Sequence, residues 1–301
     1  MTEHLAVPAV KTPPVERRPP TMPELVSSPK PQPARRFDEP RFLRIFTGLV
    51  LVYLFLPILV VTWYSFNSKR SLQVFGSFSL SWYGKLFSDD LIKGSLLASV
   101  EIALVTMVVA TVLGTVLAFG LVRAQSRANR PTDVLMLLNL ITPEIVTGIA
   151  FLLVFSQLGI TLSLGTVIVG HITFSIAYVT IIVRGRLASI NREVEEAAMD
   201  LGATNVQAVR LVTLPLLWPA IIASGMLVFV MSFDDFVTSF FTTGTGVEPL
   251  PLRIYSMIHF GVTPEINAVG TLMMLITITI VLAALAVYSR QQRARLAFLA
   301  E

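Results

Sequence analysis

Residues 95–121 read SLLASVEIALVTMVVATVLGTVLAFGL, 27 residues with one charge among them, Glu101. A helix rising about 1.5 Å per residue needs roughly 20 mainly apolar residues to cross a hydrocarbon core about 30 Å thick, and this stretch exceeds that. Its apolar residues do not alternate with polar ones, as a barrel strand with one face in lipid requires. A helix satisfies every backbone N–H and C=O within the segment, which lipid cannot do. Five further stretches share the character, at about 43–65, 134–157, 164–183, 219–242 and 266–288. The expected fold is an all-α membrane protein with six transmembrane helices. Composition agrees, with 54% hydrophobic residues, 14% charged residues and a mean hydropathy of +0.73. Soluble domains are far richer in charge.

Lysine and arginine accumulate in cytoplasmic segments. Eighteen of the 23 fall in the N-terminal tail, the second and fourth connections and the C-terminal tail, against Lys69, Arg70, Lys85, Lys93 and Arg253 opposite. Both termini are therefore expected in the cytoplasm. Anionic headgroups account for the formal charge of +4, so no nucleic-acid partner is implied. Residues 1–40 hold ten of the 18 prolines and no long apolar run, and are expected to form a disordered, Pro-rich cytoplasmic tail ahead of a transmembrane domain at 41–301.

Enzymatic signals are missing. The chain has no cysteine, which excludes disulfides, thiolate metal ligands and cysteine nucleophiles. It has no G-x-x-x-x-G-K-[ST] loop to cradle nucleotide phosphates, no H-E-x-x-H and no G-x-S-x-G. His4, His171 and His259 are scattered, and His171, inside HITFS of the fourth span, reads as a hydrogen-bonded packing residue. Neither a catalytic site nor a metal site is expected.

The fourth connection, about 184–218, is the informative one, and contains NREVEEAAMDLGATNVQAVRLVTLP (191–215). Val194, Ala197, Ala198 and Leu201 recur at helical spacing to make a small-residue apolar face, bordered by Glu193, Glu195, Glu196 and Asp200. Acids near a helix start suit its positive end. Gly202 stands where a left-handed cap favours glycine, and Thr204 with Gln207 has the spacing of a capping box opening a second helix. Leu214 precedes Pro215, which disfavours helical geometry and predicts a bend before the fifth span. An acidic hairpin suits neither DNA nor a headgroup surface, both of which want basic residues. It reads as a docking knob for a cytoplasmic partner.

Glu196-Ala197-Ala198, Gly202 after three residues and Val212-Thr213-Leu214-Pro215 after nine more resemble the EAA loop of binding-protein-dependent ABC importer permeases, with valine at the usual isoleucine. The resemblance implies a type I importer permease, MetI-like in fold, in the bacterial cytoplasmic (inner) membrane. It assigns ATPase coupling to Glu196, Ala197, Ala198 and Gly202, and the return to the membrane to Leu214 and Pro215. SWYGKLF (81–87), TPEIV (142–146), GHITFSIAYV (170–179), MSFDDFVTSFFTTG (231–244) and PLRIYSMIHFGVTPEINAVGT (251–271) resemble spermidine/putrescine permeases of the PotC type. Implied partners are a homologous second permease, two ABC ATPase subunits that hold ATP and magnesium, and an external polyamine-binding protein. Permeases for aminoethylphosphonate, thiamine or iron, and a proton-coupled secondary transporter, are the alternatives.

The spans carry Glu101, Glu144, Asp234 and Asp235, with lysine and arginine only at their ends. A charge at a helix centre costs about 2.5–3.5 kcal/mol on insertion scales, so such residues usually face a partner or a watery path. Pro143 is expected to kink or break the third span beside Glu144. Glu144, Asp234 and Asp235 are the expected substrate-path residues, with Asp234 and Asp235 about 100° apart if helical. One of that pair can then be structural and the other functional. An acid-only interior suits an organic cation, with Phe229, Phe233, Phe236, Phe240 and Phe241 as candidate aromatic faces, though most of them are expected to pack.

Overall fold

The computed structural model describes residues 41–71, 73–124, 127 and 129–298, with backbone alone at 287, 288 and 290–298. The expected Pro-rich tail lies outside the described residues. The described chain runs through α1 (Arg41–Tyr64), α2 (Ser81–Leu86), α3 (Asp90–Arg123), α4 (Asn129–Ile141), α5 (Glu144–Gln157) and α6 (Leu164–Ala188). It continues through α7 (Glu193–Asp200), α8 (Asn205–Ala208), a π-helical turn (Val209–Thr213), α9 (Leu214–Phe233), α10 (Val237–Thr242), α11 (Leu250–His259) and α12 (Pro264–Phe298). Among the described residues there is no strand, only an isolated bridge between Asn67 and Phe78. Among the described residues five helical runs are long and apolar enough to cross a membrane, and six if α4 and α5 count as one broken span.

The chain divides into a unit ending at Val52 and one beginning at Tyr53. In the first, the described residues 41–52 are the opening half of α1, where Phe42 and Phe46 stack one turn apart. In the second, α3, α6 and α9 share a core of Ala110, Ala118, Val179, Val183 and Val228. Lipid tails are as apolar as leucine, so spans gain by close packing rather than by escape from water, and small residues permit it. Gly114 shows the limit: a Cβ there would sit 2.6 Å from Val179 Cβ. The same approach lets Thr180 Oγ1 donate to the Gly114 carbonyl (3.3 Å) as well as to Ile176 O (2.7 Å). A second cluster joins Trp82 and Leu86 of α2 to Ile92, Phe233, Leu250 and Val269.

Two spans are broken. The third bends by 110° between α4 and α5, at Thr142 and Pro143. Proline has no N–H to continue the ladder, so its φ of −57° and ψ of 133° turn the chain out of the helix instead. Thr142 Oγ1 donates to the Leu138 carbonyl (2.6 Å), which also accepts from Thr142 N (2.9 Å).

The fifth span differs from its expected form as an uninterrupted helix over 219–242, because α9 stops at Phe233 and α10 restarts at Val237. No glycine or proline stands at this break. At the break Asp235, whose short carboxylate can compete for backbone amides, accepts through Oδ2 from Ser239 N (2.9 Å) and so caps α10.

The expected bend at Leu214 is also corrected. Leu214 is helical, with φ −62° and ψ −44°, and the chain passes from α8 through the π-helical turn straight into α9. Pro215 falls in the first turn of α9, and the wider π turn before it removes the clash with the preceding carbonyls.

Candidate functional site

The two breaks face one cavity of about 630 Å³. Its walls carry Asn139, Thr142, Glu144, Tyr178, Asp234 and Asp235 beside the aromatic rings of Phe174 and Phe236. All three expected path acids are therefore brought together, and no lysine, arginine or histidine is among the lining residues. Glu101 is not there. It lines a different cavity with Asp90 and Glu248.

Glu144 is the first residue of α5, and the Pro143 carbonyl before it accepts from Val146 N (2.9 Å) and Thr147 N (3.2 Å). The carboxylate thus stands at the positive end of a helix, where negative charge is favoured, and it is exposed. Asp234 is also exposed, and the carboxylates of Asp235 and Glu144 are near enough to act electrostatically on it.

Asp235 has a different setting. Its side chain is only 9% exposed and its Oδ2 lies 3.1 Å from His171 Nε2. His171 is fully buried, with Nε2 3.1 Å from Ser239 Oγ and Nδ1 2.7 Å from Ser232 Oγ. The expectation for the aspartates took them as adjacent helical positions. They instead sit in the break, both lining the cavity, Asp234 exposed and Asp235 mostly buried against His171.

Of the five phenylalanines between 229 and 241, Phe236 lines the cavity, tilted against Tyr255 at 4.9 Å between centroids. Phe229 and Phe233 are buried and stacked on each other at 5.8 Å. Phe241 occupies the space a Cβ at Gly148 would need, which locks α10 against α5. Sequence reasoning missed Phe174, Tyr178 and Asn139. Phe174 and Tyr178 sit about three and four turns along α6 and Asn139 near the end of α4, and nothing local marks them before the breaks are known.

The second feature is the hairpin of α7, α8 and the π turn. Gly202 has φ +95°, the left-handed cap. Thr204 accepts from Gln207 N (3.3 Å) while Gln207 Oε1 accepts from Thr204 N (2.8 Å), completing the capping box. Val194 is 46% exposed and Leu201 91% exposed, so the apolar face is open rather than turned to the spans. Glu196 is exposed as well. Its neighbour Glu195, absent from the expected coupling set, is the acid that ties the hairpin down: one of its oxygens accepts from both the Arg123 guanidinium and Thr213 Oγ1. Arg123 ends α3 and Thr213 ends the π turn just before α9, so Glu195 ties α7 both to α3 and to the hairpin's own entry into α9.

Residues 110–295 match the family model described as binding-protein-dependent transport system inner membrane component. Over 241 residues the chain is 36% identical to the spermidine/putrescine transport system permease protein PotC of Haemophilus influenzae, covering 80% of this chain and 94% of that protein. It is 36% identical over 233 residues to the putrescine transport system permease protein PotI of Escherichia coli K12, covering 75% and 83% respectively. Among solved structures, a bacterial ABC transporter involved in the import of the acidic polysaccharide alginate is similar with a TM-score of 0.66 at 13% identity, over 83% of this chain and 95% of that one. The inward-facing MetNI methionine ABC transporter is similar with a TM-score of 0.53 at 20% identity, over 67% and 98%. At those identities the structures speak to the fold alone.

Proposed function

The chain belongs to the family of binding-protein-dependent transport system inner membrane components, and from that premise we propose that it is the membrane-spanning permease subunit of an ATP-driven importer of polyamines. The observation that carries the substrate class is the single cavity where Glu144, Asp234 and Asp235 meet without a basic residue among them. Putrescine and spermidine are flexible chains of methylenes and ammonium groups. Separated carboxylates with the faces of Phe174, Tyr178 and Phe236 between them offer a complementary surface. The names of the PotC and PotI relatives support the same class. An acid-lined cavity is a poor host for a phosphonate anion.

In this reading an external binding protein makes the high-affinity choice and releases the cation into the cavity. Water there lowers the cost of the exposed carboxylates of Glu144 and Asp234, which act as weak counter-ions; a tight site would slow exit. The chain itself is a transport subunit and not an enzyme. ATP and magnesium belong to a pair of partner ATPases, and a homologous second permease completes the pathway. The hairpin is the ATPase contact: Ala197, Ala198 and Gly202 permit close approach, Glu196 offers charge, and Leu214 and Pro215 carry the motion through the π turn into α9.

The test is co-reconstitution with the second permease, the ATPases and the polyamine-binding protein in proteoliposomes. Uptake of labelled putrescine or spermidine is expected to require both ATP and the binding protein. Uptake that ran on a proton gradient without ATP would overturn the assignment.

A further inference from the structure

The His171 network lies behind the cavity wall and is not accounted for by the expected coupling or path residues. Its ring is fully buried on α6, 5.5 Å from the cavity-lining ring of Phe174. Its partners come from three places: Ser232 on the last turn of α9, Asp235 in the break, and Ser239 on the first turn of α10. One side chain therefore bridges both halves of the broken fifth span to the unbroken fourth.

Both ring nitrogens are engaged. Nε2 is hydrogen-bonded to the Ser239 hydroxyl and lies 3.1 Å from Asp235 Oδ2 as well. Nδ1 is hydrogen-bonded to the Ser232 hydroxyl at 2.7 Å. The same Asp235 oxygen accepts from the Ser239 amide at 2.9 Å, so the carboxylate is held by the protein through that bond and its contact with the ring. That arrangement separates the two adjacent acids. Asp235 is occupied by the protein, while Asp234 and Glu144 stay open to the cavity.

We propose that His171 is a positioning residue, which pins the break of the fifth span through Ser232, Asp235 and Ser239 and so leaves Asp234 with Glu144 as the pair that meets the cargo. The part concerning cargo rests on the polyamine-permease reading; the pinning does not, and the experiment separates them. Thr238 is 2% exposed on α10 at the cavity edge, and the chain has no cysteine of its own. In a Thr238→Cys background of the assembled complex, maleimide labelling therefore reports opening of the break without any cargo.

His171→Gln places an amide N–H where Nε2 stands, whereas His171→Asn reaches only the Nδ1 position. Losing the buried contacts that Nε2 makes with Ser239 and Asp235 raises labelling about tenfold in His171→Asn and His171→Leu, while His171→Gln stays within about twofold of the parent. Asp235→Asn is expected to label like His171→Leu, and the double variant no faster than either single one, because both act through one contact. If His171→Leu prevents assembly, the Asn and Gln pair decides. Equal labelling in those two, or additive effects of His171→Asn and Asp235→Asn, would overturn the proposal. Putrescine uptake by the same complexes should fall in His171→Asn and recover in His171→Gln. A parent complex that does not transport putrescine would remove the cargo assignment, with the labelling pattern still deciding the role of His171.

Discussion

Asp234 and Asp235 share a residue type and a position in the chain, yet the structure gives them opposite settings, and their variants should part accordingly. Asp234→Asn and Glu144→Gln remove a charge that faces the cavity and leave the packing alone. Each is expected to lower polyamine uptake about tenfold at low cargo, the size of one weakened charge contact, with normal amounts of assembled complex. Asp235→Asn instead leaves His171 facing a neutral amide behind the wall, and should reduce the assembled complex as well as transport. Measuring uptake and assembly side by side for the three variants decides this; full uptake and normal assembly in all three would remove the carboxylates from the mechanism. That acids crowd this region was legible, since a carboxylate in an apolar run is conspicuous. Which of them faces the cargo was not, because it depends on His171, 64 residues away in the chain and meeting Asp235 only in the fold.

The hairpin was the most legible element, because caps and turns are written in local chemistry. Gly202, Thr204 and Gln207 take the conformations their types favour. A side chain at Gly202 would meet nothing within 4 Å, so the obstacle to substitution is backbone strain alone. Holding a β-branched residue at φ +95° costs about 1–2 kcal/mol, too little to unfold the spans. Gly202→Val should therefore keep near-normal membrane levels while uptake and binding-protein-stimulated ATP hydrolysis both fall; normal transport by the variant would remove Gly202 from the coupling set. Glu195 tells the opposite story. Two adjacent glutamates look alike in sequence, and only the positions of Arg123 and Thr213 select Glu195 as the anchor. Glu195→Ala should loosen the hairpin from α3 and α9 without touching its docking face, so that ATP hydrolysis persists but more ATP is spent per molecule imported. An unchanged ratio of hydrolysis to uptake would show that the clasp carries no motion. The breaks in the third and fifth spans divide in the same way: Pro143 announced the first, whereas the second carries a side-chain cap and no glycine or proline as a sign.

At the scale of the whole molecule, hydropathy alone located the spans, because the requirement for about 20 apolar residues is set by the bilayer and not by any partner. Sidedness rests on a different force, the retention of lysine and arginine in the cytoplasm, and the eighteen-to-five division of those residues predicts both termini inside. That prediction has a mechanical consequence: it puts the acidic hairpin on the side where ATP is. A chain without native cysteine allows a direct measurement. Ser71 is an exposed residue between α1 and α2, and Ser189 is an exposed residue between α6 and α7. The odd number of spans between them puts the two on opposite faces. An impermeant maleimide applied from outside to intact spheroplasts should label Ser71→Cys and spare Ser189→Cys until the membrane is opened. Labelling of Ser189→Cys in sealed cells would place the hairpin outside, beyond the reach of any cytoplasmic ATPase. The coupling roles of Glu196, Ala197, Ala198 and Gly202 would fall with it, whatever the cavity carries.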